Sequence, residues 1–268
     1  MQWVVMALIV FGGLGYAIAS NFIQYVRKFF YNIFNKKNQK FISRVITLNT
    51  KIVMYTTLIL IVAGTAFFLL SEQQTNLAEH KTAFGKFTTA MFSSVTTRTA
   101  GFNTVDMTNF TIPGILFMIF LMWIGASPAS TGGGIKTTTF ALATLNIFSI
   151  AKDKPNIEIG TRRVAKEAVL RAFAIIAISL TSIGTGILLL LIFNPEFTLL
   201  QIAFETFSAY STVGLSLGIT PALSENSKYV IIFLMFFGRI GLINLMIGIL
   251  KSVNTTEYTY PKENILIN

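Results

Sequence analysis

The chain has 268 residues, of which 53% are hydrophobic and 12% charged, with 25 Phe and a mean hydropathy of +0.66. A soluble domain carries about 25% charged residues, so this composition argues against a soluble globular protein, and its apolar content excludes intrinsic disorder. The net charge of +10 fits basic loops beside a membrane better than a nucleic-acid partner, and zero cysteines leave no disulfide, thiolate metal site or Cys nucleophile.

In chain order, Trp3 to Val26 is an uncharged apolar run long enough for a transmembrane helix. It lacks the basic start and cleavage site of a signal peptide, and reads as a true span. Residues 27–44 follow with Arg27, Lys28, Lys36, Lys37, Lys40 and Arg44 and no acid, interleaved with Phe29, Phe30, Tyr31, Phe34 and Phe41. Such a segment suits anionic lipid next to a span. Ile52 to Leu70 is the second span. Met107 to Ile135 is the third, interrupted by Pro128 and Gly132 to Gly134, with apolar chain continuing to Ala151. Residues 151–171 are again basic. Ala172 to Pro195 is the fourth span, and Tyr229 to Leu250 the fifth, with Arg239 near its middle. The positive-inside rule puts loops 27–44 and 151–171 and the C-terminus on the cytoplasmic side.

Two outer segments are semi-apolar stretches too short to span, each followed by a Ser/Thr/Gly tract: Phe87 to Thr104 and Leu200 to Leu217. An offset of 113 aligns Ala90 with Ala203, Thr99 with Thr212, Gly101 with Gly214 and Gly125 with Gly238. The pattern is an internal repeat of helix, re-entrant segment and helix, present twice. Non-helical backbone at membrane depth must be buried in protein or line a watery path. A short pore helix and a Thr/Gly loop can aim carbonyls at an ion and replace its hydration shell. Thr99, Ala100, Gly101 and Phe102, and Thr212, Val213, Gly214 and Leu215, are therefore candidate filter residues. Neither tract carries a carboxylate, which favours a monovalent cation. An ordinary outside loop with a glycine turn is the plainer alternative.

Pro128 and Gly132 to Gly134 should break the third span below the filter. Ser127, Pro128, Ser130, Thr131, Gly132, Gly133 and Gly134 would then expose hydroxyls and carbonyls to the ion path, unless the feature is a proline kink of structural origin. Arg239 is too deep to be idle; its guanidinium is placed against the carbonyls of residues 127–134, snorkelling being the alternative. Lys136 either caps carbonyls at the break or begins the next half-helix. Arg98 is expected at the outer mouth, where it either tunes the field or pairs with Glu205 or Asp106. Glu205 either attracts cations or makes a plain structural hydrogen bond. His80 reads as a solvated loop residue. No Walker loop, zinc spacing or Ser-His-Asp set is present, so no enzyme is expected.

The tracts 96–104, Ser211 to Ser216, Gly125 to Lys136 and Gly12 to Tyr16 resemble, in order and spacing, the third and fourth filter loops, the intramembrane gate loop and the end of the second repeat of the Trk/Ktr/HKT superfamily of potassium transporters. The chain is most similar to the Ktr-type membrane subunits. The resemblance implies an all-α membrane protein of helix–pore-loop–helix repeats, with about five crossings and two re-entrant pore helices, in the plasma membrane. It divides the chain into 1–44, the last helix of a preceding repeat with its basic loop; 45–155, a third-type repeat with the gate loop; and 156–268, a fourth-type repeat with its tail. It implies potassium uptake through a carbonyl filter, with K+ at Thr99, Gly101, Thr212 and Gly214 and sodium as a modulator. Family members carry four repeats, so the chain resembles a C-terminal half. A homodimer or a separate N-terminal half, and a cytoplasmic nucleotide-binding regulatory subunit, are the expected partners. A secondary cation transporter and a non-conducting truncated subunit are the rival readings.

Overall fold

The computed structural model describes residues 1–34, 47–154, 156–160 and 162–241. Lys36, Lys37, Lys40, Phe41 and Arg44 of the first basic loop, and everything from residue 242 on, lie outside the described residues. The described helices are α1 (Gln2–Leu14), α2 (Tyr16–Phe34), α3 (Leu48–Ser71), α4 (Ala83–Thr96), α5 (Ile112–Trp123), α6 (Thr137–Ala151), α7 (Lys166–Phe193), α8 (Leu199–Tyr210) and α9 (Glu225–Ile240). A two-residue ribbon, β1 (Glu158–Ile159) against β2 (Arg162–Arg163), precedes α7.

Five of the described helices start at a Thr or Ser cap. Thr47, Thr82, Thr111, Thr198 and Ser224 each stand before an apolar run, and each side-chain oxygen accepts an amide of the first turn. Such a cap satisfies a donor that the helix itself cannot. Thr198 forms a full capping box with Gln201.

By length and composition, α3 and α7 can cross a membrane alone. The expected span Trp3 to Val26 is instead α1 and α2, bent by 108°. The bend falls at Gly15, which ends α1 at φ +75° and ψ 150°, backbone that favours glycine. The sequence stays apolar through this point, so hydropathy gives no warning of it. Two further helices differ from expectation. α5 ends at Trp123, before Pro128 rather than at it. Arg239 lies in the last turn of α9, not at mid-helix, because Gly241 takes φ +81° and caps that helix.

The offset of 113 relates more than the tracts that first suggested it. The 3-10 turns at Met107–Asn109 and Thr220–Ala222, the starts of α5 and α9, and the N-caps Thr111 and Ser224 all match at that spacing. A shared clamp ties each long helix to its later neighbour. Glu72, just past α3, accepts from the Thr111 hydroxyl (2.6 Å) and amide (3.3 Å). Asn194, just past α7, accepts from the Ser224 hydroxyl (2.9 Å) and amide (3.2 Å) and from the Ser227 hydroxyl (2.6 Å). The main core joins Phe68 of α3, Met118 and Met122 of α5 and Phe204 of α8 to Ile124, Ile135, Val213 and Leu215. It therefore holds two of the loops described next.

Candidate functional site

Two loops follow the short helices α4 and α8. Thr99 (φ 63°) and Thr212 (φ 52°) are left-handed, as are Gly101 (φ 69°) and Gly214 (φ 89°), each pair 113 residues apart. Left-handed backbone is a true outlier for a β-branched residue, and costs about 1–3 kcal/mol at each site. The helix ends tie the loops down: Ala100 N donates to Thr96 O (3.2 Å), and Val213 N to Ser208 O (2.9 Å). The loops touch each other. A Cβ on Gly101 would overlap Val213 O and come within 3.2 Å of the Gly214 Cα. Only glycine fits, on both space and φ. The loops also differ: Leu215 is buried in the core, whereas its counterpart Phe102 is exposed.

Residues 124–136 form a third loop, and its neck is stitched. Ile124 and Ile135 run parallel, with Gly125 N donating to Ile135 O (2.9 Å) and Ile135 N to Trp123 O (3.2 Å). The chain leaves α5, makes an excursion, and returns to enter α6 in the same sense. The excursion sits against both filter candidates. Gly133 N donates to the Thr212 hydroxyl (2.9 Å). A Cβ on Gly132 would overlap the Thr99 hydroxyl and lie 2.9 Å from its methyl; one on Gly133 would lie 2.6 Å from Thr212 Oγ1. These glycines are there for close approach.

The far side of the loop is held by α1. Ser127 donates from its amide (3.0 Å) and hydroxyl (2.7 Å) to Gly13 O, and its hydroxyl also meets Leu14 O. Pro128 and Ala129 lie against Gly15, and the Ser130 hydroxyl closes back on Ser127 O at 2.6 Å. Two cations then face the loop's carbonyls. Lys136 Nζ donates to Gly132 O (2.5 Å), and Arg239 Nη1 donates to Thr131 O. Lys136 also stands at the N-cap of α6, so both of its alternatives occur together. Lys136, Gly134, Tyr210 and Arg239 line a cavity of about 110 Å³.

Five helix C-termini converge on this region. α4 and α8 end three and two residues before Thr99 and Thr212. α1, α5 and α9 end at or against loop 124–136. Each carries a partial negative charge of roughly half an elementary charge. Among the described residues no three His, Asp or Glu side chains gather, so oxygens from backbone and hydroxyl groups are the available cation ligands.

Three expectations fail here. Arg98 is not at the mouth: it is 8% exposed, and its Nη2 has no partner among the described residues. Asp106 and Glu205 are engaged elsewhere. Asp106 caps the turn at Met107–Asn109, and the Thr108 amide, then its hydroxyl, hold its carboxyl below the usual range. Glu205 accepts from the Ser216 and Thr220 hydroxyls. His80 is half-buried, not solvated, and its Nε2 bonds the Thr89 hydroxyl at 2.8 Å. The link between Ser127 and α1 carried no sequence signal beyond the adjacent glycines of residues 12–15.

Comparisons with known proteins give the family. A family profile described as TrkH, cation transport protein, matches residues 1–258. The chain belongs to the TrkH family of cation transport proteins. Members of the TrkH family are membrane transporters, not enzymes. The chain is 36% identical over 260 residues to the Ktr system potassium uptake protein B of Vibrio alginolyticus, covering 97% of this chain and 54% of that protein. It is 34% identical to the potassium/sodium uptake protein NtpJ of Enterococcus hirae (98% and 56% covered). It is 32% identical to the Ktr system potassium uptake protein D of Bacillus subtilis (100% and 57% covered). The chain thus spans about half the length of the curated TrkH-family relatives it matches. The crystal structure of the potassium transporter TrkH from Vibrio parahaemolyticus shares the fold, with a TM-score of 0.64 at 17% identity, covering 93% of this chain and 52% of that one.

Proposed function

We propose that the chain supplies two filter loops and the gate loop of a potassium uptake pore. The observation that carries this reading is the convergence of five negative helix ends on two strained Thr/Gly loops and a third loop beneath them. Oxygens at Thr99, Gly101, Thr212 and Gly214 strip water from K+, and passive flow follows the electrochemical gradient. Loop 127–134 is the gate, held by Lys136 and Arg239. Potassium is preferred because both filter positions are glycine, and because the relatives are named potassium uptake proteins. Sodium is the second ion, on the name of NtpJ.

The finer architecture belongs to the same proposal. Repeats 45–155 and 156–268 each contribute one pore segment, residues 1–44 close a preceding repeat, and about five crossings place loops 27–44 and 151–171 and the C-terminus in the cytoplasm. Two loops supply half of a four-loop ring, so a second copy or a separate N-terminal half completes it. A cytoplasmic nucleotide-binding subunit regulates it. The test is rubidium and sodium uptake in cells lacking their own potassium uptake. Selective uptake that Gly214→Ser degrades supports the filter; selectivity untouched by that substitution overturns it.

A further inference from the structure

The two loops are related by the 113-residue offset, yet the offset does not relate what fastens them. In the first loop, the Thr96 hydroxyl donates to Phe102 O at 2.6 Å, clipping the helix to the loop's return limb. The matching pair in the second loop is Ala209 and Leu215, and alanine has no hydroxyl to donate. The second loop is clipped elsewhere. Glu205, one turn back in α8 and only 5% exposed, accepts from the Ser216 hydroxyl and, at 2.9 Å, from the Thr220 hydroxyl. Ser216 Oγ in turn accepts the Gly218 amide at 2.9 Å. The counterparts of Glu205, Ser216 and Thr220 in the first loop are Phe92, Asn103 and Met107, which cannot form this clip. Each loop thus has one tie between its helix and its return limb, at non-equivalent positions, and only the second uses a carboxylate.

We infer that Glu205 is a positioning residue for ion selection: it holds the return limb of loop 212–215 and so fixes the spacing of that loop's oxygens. The inference rests on the reading of that loop as a filter. The geometry supports it directly. Thr212 to Leu215 lie between two anchors, the helix end at Ser208 and Ala209 and the clip at Ser216. Releasing the second anchor frees Gly214, the residue that faces Gly101. Glu205 is buried and engaged by the Ser216 and Thr220 hydroxyls, so it acts through them rather than as an ion ligand.

The test compares Glu205→Ala, Glu205→Gln and the double variant Glu205→Ala with Ala209→Thr, which grafts the first loop's clip onto the second. Two readouts are taken: amide hydrogen exchange across residues 211–220 in the purified protein, and the potassium-to-sodium uptake ratio of the assembled transporter in cells. Losing hydrogen bonds to a buried charged group should speed local exchange about ten- to hundredfold, and the uptake ratio should fall. Glu205→Gln keeps an acceptor oxygen and should retain most of both. The graft should restore slow exchange and selectivity together. Unchanged exchange in Glu205→Ala overturns the clip. Faster exchange with an unchanged ratio overturns the role in selection, as does a graft that leaves the ratio low while the melting temperature holds. If the unaltered protein takes up sodium and potassium alike, the filter reading is what fails, and the exchange data still decide the clip.

Discussion

At the scale of single residues, space and charge around loop 127–134 set the expectations. A methyl group on Gly133 would lie 2.6 Å from the Thr212 hydroxyl and 2.9 Å from Ser211 O. Ser211 O is backbone at the end of α8 and cannot turn aside as the Thr212 hydroxyl can, so Gly133→Ala should cost about 1–3 kcal/mol and reduce rubidium uptake more than tenfold, read beside a melting curve. Arg239 acts in the opposite sense. Its guanidinium fork is suited to gripping a carbonyl, and Thr131 O is what it grips. Arg239→Ala should free the loop and raise flux in a competent assembly; unchanged flux would remove the residue from gating. The contact of Arg239 with loop 127–134 was legible because a charge within an apolar helix is costly and needs a polar partner. Its position was not, because the helix end at Gly241 depends on a positive φ that hydropathy does not register.

At the scale of elements, the clamps are the parts that composition hid. Glu72 and Asn194 look like loop residues in the sequence, since each simply follows an apolar run. In the fold both are buried, and each fixes the start of the helix beyond the next one, α5 for Glu72 and α9 for Asn194. A buried carboxylate is tolerable only when fully engaged, and Glu72 also accepts from the Thr75 hydroxyl at 2.5 Å. Glu72→Ala should therefore lower stability by about 3 kcal/mol, with Asn194→Ala costing less because its amide is neutral; chemical denaturation in detergent would read both. Ser127 makes a comparable link between α1 and the triple-glycine loop. Ser127→Ala keeps the amide bond to Gly13 O but removes the hydroxyl contacts to the Gly13 and Leu14 carbonyls, and should destabilise by about 1–3 kcal/mol while changing flux, since the loop is held less firmly on that side. The long helices α3 and α7 were legible as apolar runs of spanning length. The break at Gly15 and the early end of α5 were not. The first turns on the φ of Gly15 and the second on the stitch between Ile124 and Ile135, and hydropathy registers neither.

At the scale of the whole molecule, the chain spans about half the length of its curated relatives, and large apolar side chains such as Leu188, Ile192, Tyr229 and Phe233 are exposed on its long helices. Reconstituted alone in liposomes, it should show selective potassium flux only if copies assemble four loops between them. Flux that appears only on co-expression with an upstream half would assign the ring to two polypeptides.

The stitched neck at Ile124 and Ile135 has a thermal consequence. Because the two ends of the excursion are bonded to each other, residues 127–134 can shift without sliding α5 past α6 or unpacking the core. Little apolar surface changes its hydration in such a shift, and it is hydration of apolar surface that gives a transition its heat capacity. An equilibrium between two positions of the loop should therefore give a straight van 't Hoff plot. A gate that moved whole helices would give a curved one.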